Sequence, residues 1–82
     1  MNARVTANAD CYTDWCQTGI GAVLTQEHEG VERVVAYGSR MLRGPELHLA
    51  ATIGECVAVV YFIKHFRTYL HERKFTVICL SL

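Results

Sequence analysis

Polar and apolar positions alternate over residues 9–14, with Cys11 and Thr13 on one face and Asp10, Tyr12 and Asp14 on the other, which predicts a short strand ending in an acid. Residues 19–26, rich in Ile20, Val23 and Leu24, predict a second strand, and His28-Glu29-Gly30 predicts a hairpin turn into a third over 31–37. These three make an antiparallel meander. Gly44 and Pro45 interrupt the pattern, so 38–46 is expected to be a loop between sheet and helix. From 51 to 70 the period becomes helical: Cys56, Val59, Val60, Ile63, Phe66 and Leu70 recur opposite Lys64, Arg67 and His71, predicting an amphipathic helix. Gly54 costs that helix about 1 kcal/mol relative to Ala, while its missing side chain could admit the sheet closely. Thr76, Val77 and Ile78 predict a buried final strand over 74–82. A helical crossover makes that strand parallel to the first, so the expected fold is an α/β mixed sheet in the order βββαβ.

Length and composition narrow the class. The 82 residues suffice for one small domain, read as an N-terminal tail over 1–8 and a folded unit over 9–82. An apolar share of 51% excludes a disordered chain. The longest apolar run, 56–63, is far shorter than the roughly 20 residues that cross a bilayer, so no membrane partner is expected. The formal net charge is zero, and a nucleic-acid partner would have to be read from a local patch. The N-terminus resembles neither a signal peptide nor a presequence, so an intracellular site is expected. In that compartment Cys11, Cys16, Cys56 and Cys79 are expected as free thiols, with Cys56 and Cys79 in the core.

Candidate chemistry rests on Asp14 and Glu55, carboxylates that a sheet and a helix could bring together around a divalent cation. Taken singly, Asp14 is an ordinary strand-end acid and Glu55 a first-turn acid favoured by the helix dipole. Asp10 reads as a solvated strand residue. His28, His48, His65 and His71 lack ligand spacing, so zinc is not supported. Lys64, Arg67, Arg73 and Lys74 could form a basic patch facing a phosphate backbone, although cations at a helix C-terminus are favoured by its dipole anyway. Trp15 could stack on a base.

Several motifs fall in a familiar order. Thr13-Asp14 is followed by Gly19-Ile20-Gly21-Ala22-Val23-Leu24-Thr25-Gln26, then Ala36-Tyr37-Gly38-Ser39-Arg40, Leu42 and Glu46. Thr52, Glu55-Cys56-Val57-Ala58-Val59-Val60, Phe66-Arg67-Thr68-Tyr69-Leu70 and Arg73-Lys74-Phe75-Thr76-Val77 complete the series. In this the chain resembles the RNase H-like domain of reverse transcriptases from gypsy-type long-terminal-repeat retrotransposons. The resemblance implies metal-dependent endonucleolytic cleavage of RNA in an RNA/DNA hybrid, within a polyprotein that also carries polymerase and integrase portions. It further implies two Mg²⁺ ions held by acids, with Asp14 on the first strand and Glu55 on the helix as catalytic residues and metal ligands.

The chain departs from the family pattern at Trp15-Cys16, where the family has Ala-Ser, at Leu49 and Ile53, and above all at Leu80, which stands in the place of the third acid. The resemblance breaks off after the fourth strand, as in a truncated copy. Two acids poorly hold two clustered cations, so the implied activity is expected to be lost. The alternatives are a non-catalytic module binding nucleic acid or protein through an exposed strand edge, and an unstable product that self-associates through an uncovered sheet face.

Overall fold

The computed structural model describes residues 8–71 and 73–80. Strands β1 (Ala9–Cys16), β2 (Gly19–His28) and β3 (Val31–Met41) precede a short 3-10 helix, Gly44–His48. Helices α1 (Ala51–His65) and α2 (Arg67–Leu70) follow, and β4 (Phe75–Cys79) completes the sheet. The sheet order is β3-β2-β1-β4, with β1 antiparallel to β2 and parallel to β4. The expected mixed sheet and its parallel crossover are therefore present. Of the expected tail, 1–7 lie outside the described residues, as do 81 and 82 of the expected last strand.

Alternation explains which side of the sheet is covered. Ala9, Cys11 and Thr13 are buried on β1 and Ile20, Ala22 and Leu24 on β2. The register sets Cys11 opposite Leu24 and Thr13 opposite Ala22, so these side chains share one face. Across that face α1 buries Gly54, Ala58 and Phe62, and Phe66 and Leu70 continue the line. Phe62 is fully enclosed, with its ring 4.9 Å from Tyr61 and 5.8 Å from Phe66. Burial of such a side chain contributes about 1.5–3 kcal/mol. At the β2–β3 turn Glu29 and Gly30 have φ of 54° and 80°, the backbone hand that a two-residue hairpin demands.

One irregularity redirects β3. Leu24 pairs with Ala36 but Thr25 pairs with Val34, leaving Val35 as a bulge. Beyond it Val34 and Glu32 lie on the uncovered face with Thr25. That allows the Glu32 carboxylate to accept from the Thr25 hydroxyl at 2.7 Å and from the Tyr12 hydroxyl, two strands away, at 2.8 Å.

Several expectations are corrected. β3 runs to Met41 through the first part of the expected loop, because Gly38 to Met41 keep pairing with β2 and Gly38 fits beneath Phe62 and His65. The helix divides at Phe66, where φ −97° and ψ 15° depart from helical geometry. Cys56 and Val60, expected in its apolar stripe, are exposed, because α1 is apolar on nearly every side and the sheet accepts the line of small residues instead. The final strand is a half-exposed edge rather than a buried strand, paired among the described residues with β1 alone, and Cys79 is exposed too. All four cysteines are free.

Candidate functional site

The candidate site lies where the C-terminal end of β1 meets the beginning of α1. The Trp15 indole packs directly against the Gly54 backbone, so closely that a Cβ at position 54 would overlap it. This contact joins the residue after Asp14 to the residue before Glu55. Strand alternation turns Asp14 away from Thr13 and Trp15, onto the uncovered face, where it is exposed opposite Gly21. It lines an open depression of about 430 Å³ at this end of the sheet with Cys16, Thr18, Ser39, Arg40 and Met41.

Glu55 is half-buried and occupies the fifth position of α1, so the first-turn dipole explanation is corrected. The Arg40 guanidinium sits 5.4 Å from the Tyr61 ring centre, marking the flank of α1 that leans toward β3. Glu55 lies about 120° around the helix from Tyr61 and therefore leans toward β4. The two acids thus approach the end of β1 from different layers, one on the uncovered sheet face and one on the covering helix.

Leu80 stands at the same end. Its N–H donates to the Thr13 carbonyl at 2.8 Å, just beyond the Thr13–Cys79 pair of the parallel ladder. Thr13 Oγ1 also donates to Cys79 Sγ at 3.7 Å on the covered side. One step further along this register places Leu80 beside Asp14 on the uncovered face, and Leu80 is 55% exposed. Among the described residues no group of three or more His, Cys, Asp or Glu side chains could hold a metal ion. The donors present do not match a two-ion centre.

Neighbouring polar groups are ordered by hydrogen bonds that sequence reading passed over. Glu46 accepts from the Arg43 N–H at 3.0 Å and from Arg40 Nη1 at 3.1 Å, and these contacts, the backbone bond foremost, hold its carboxyl below the usual range. Hydrogen bonding from Thr18 lowers the Cys16 thiol, while burial raises that of Cys11. The expected basic patch is divided among several surfaces: Lys64 borders a groove with Arg40, Arg67 lies with Thr68 and His71, and Arg73 lines a cleft with Tyr69 and Gln26. Nothing in the local pattern announced the Tyr12–Glu32 bond, which depends on the β3 bulge.

The sheet order, parallel crossover and covering helix define an α/β domain of the RNase H-like kind. Residues 4–80 match the model of the RNase H-like domain found in reverse transcriptase, and the chain belongs to that family. It is 42% identical over 65 residues to the Retrovirus-related Pol polyprotein from transposon 412 of Drosophila melanogaster, covering 79% of this chain and 5% of that protein. It is 37% identical over 59 residues to the Retrovirus-related Pol polyprotein from transposon opus of the same species, covering 72% of this chain and 6% of the relative. The matched region thus spans a small fraction of either polyprotein. Among the described residues no helix is long and apolar enough to cross a membrane.

Proposed function

We propose that this chain is the RNase H-like portion of a gypsy-type retrotransposon Pol polyprotein that retains the family scaffold without its hydrolytic activity. The family substrate is the RNA strand of an RNA/DNA hybrid, and its partners are the polymerase and integrase portions of the same polyprotein. Asp14 and Glu55 stand where the family pattern has two of its acids, the residues that in an intact site would supply oxygen ligands to Mg²⁺ for activating water and stabilising the leaving oxygen. The observation carrying the loss is Leu80, an apolar side chain beside Asp14 where the family pattern has an acid. Without that carboxylate, two clustered cations and a phosphate meet too little compensating charge and too few oxygens.

The test is Mg²⁺-dependent cleavage of an end-labelled RNA/DNA hybrid by the chain, by Asp14→Asn and by Leu80→Asp. The expected result is no cleavage by the unmodified chain and measurable cleavage by Leu80→Asp, abolished when Asp14→Asn is added. Cleavage by the unmodified chain that Asp14→Asn removes would refute the loss. Silence in every variant would refute the assignment of the defect to position 80.

A further inference from the structure

A second concave surface, whose lining includes neither Asp14 nor Glu55, lies between the outer flank of α1 and the end of β3. Ile53, Val57, Val60 and Tyr61 line a groove of about 440 Å³ bordered by Arg40 and Lys64, a volume suited to a small organic ligand. Its apolar lining is open to water, with Ile53 55% and Val60 53% exposed. Exposed apolar residues gathered in one concavity mark a binding surface more strongly than the same residues scattered singly.

The charges at the rim select the ligand. The Glu46 carboxylate is already committed to Arg40 and to the Arg43 N–H, and the Arg40 guanidinium is further fixed over the Tyr61 ring. Lys64 has no ion pair among the described residues. The groove therefore presents an apolar floor with one uncompensated cation. Its complement is an apolar body carrying one anionic group, and a nucleic-acid backbone supplies charge without that body.

We propose that this groove binds a small amphipathic monoanion, an aryl or acyl carboxylate or sulfonate, with its anionic group on Lys64 and its apolar body against Ile53, Val57 and Val60. Cys56 also lines the groove and is an exposed, free thiol, so it reports occupancy. The probe is 8-anilinonaphthalene-1-sulfonate, titrated into the folded chain by fluorescence and compared with N-phenyl-1-naphthylamine, which lacks the sulfonate. The expected result is saturable single-site binding, weakened about tenfold by Lys64→Glu and likewise by removal of the sulfonate. Val60→Asp should weaken it too, while Arg67→Glu should leave it unchanged. On the unmodified chain, saturating probe should slow maleimide alkylation of Cys56 and not of Cys16, read by mass mapping. Equal affinity for the neutral probe, indifference to Lys64→Glu, or unprotected Cys56 would each overturn the proposal.

Discussion

Under α1 the sheet presents Cys11, Thr13, Ile20, Ala22 and Leu24, all buried, whereas one residue along the same strands it presents Tyr12, Asp14, Gly21 and Val23 to the uncovered side. The two sets differ in how their side chains are held. On the covered face, position follows from close packing against Gly54, Ala58 and Phe62. On the uncovered face it follows from hydrogen bonds such as the Tyr12–Glu32–Thr25 set, with Tyr37 left 76% exposed. The packing that holds the fold is therefore concentrated beneath the helix, whereas the candidate acid Asp14 lies on the opposite face at a strand end. Leu80 is 55% exposed, so among the described residues position 80 is held loosely enough to accept either an apolar side chain or an acid at little cost to the fold.

The largest test of this division is Phe62→Ala, which should cost about 3–5 kcal/mol, a large fraction of what a domain of this size possesses. Tyr37→Ala on the other face should stay within about 0.5 kcal/mol. Urea denaturation of the two variants checks the contrast, and comparable losses would show that the uncovered face is not passive. Gly54→Ala comes next. Its new Cβ meets the Trp15 indole, so the helix must retreat or the indole must move, at about 1–3 kcal/mol. With Trp15→Ala present the obstacle disappears, and the same substitution should then stabilise by up to about 1 kcal/mol through helix propensity. A reversal of sign across this double-mutant cycle would identify the contact as the one that seats α1; parallel effects would show that it does not.

The same contrast explains how much could be read in the sequence. The order of strands and helix was legible because each element carries its own period, and Asp14 and Glu55 were singled out as candidates through the motifs around them. The buried line of α1 was not, since Cys56, Val59, Val60 and Ile63 are as apolar as the residues that face the sheet. Only the small residues Gly54 and Ala58 and the pocket for Phe62 decide between the stripes, and those preferences are tertiary. The Glu32 hydrogen bonds were hidden for a related reason: strict alternation would have turned Glu32 to the covered side, and the bulge at Val35 reverses it. The apolar residue at position 80 could be read from sequence, whereas its place next to Asp14 required the parallel register.

The uncovered face should register in the pH dependence of stability through Glu32. Hydrogen bonds from Thr25, and then from Tyr12, lower its pKa in the folded chain relative to the ordinary value of 4.5. The unfolded state therefore binds this proton more readily, so the contribution is fully present above the unfolded pKa and is lost as pH falls through the folded pKa. Glu46 has the same sign, its carboxylate being held by the Arg43 N–H and Arg40. Denaturation midpoints should accordingly fall on acidification below about pH 4.5, and Glu32→Gln should flatten that slope without abolishing it. An unchanged slope would mean that these exposed hydrogen bonds are exchanged freely with water.

The smallest expected effect on the fold is also the sharpest test of the division between the two faces. Leu80 is 55% exposed at the edge of the sheet, so Leu80→Asp should change stability by no more than about 0.5 kcal/mol in metal-free buffer. Placing a carboxylate beside Asp14 nevertheless adds a hard oxygen donor at the end of β1, and a ligand that binds only the folded state raises its stability in proportion to the logarithm of concentration over dissociation constant. Melting curves should therefore coincide for the unmodified chain with and without Mg²⁺ and separate for Leu80→Asp, with the separation removed by Asp14→Asn. If Leu80→Asp lowers stability by several kcal/mol in the absence of metal, position 80 belongs to the packed part of the molecule, and the separation of stability from site chemistry fails where it matters most.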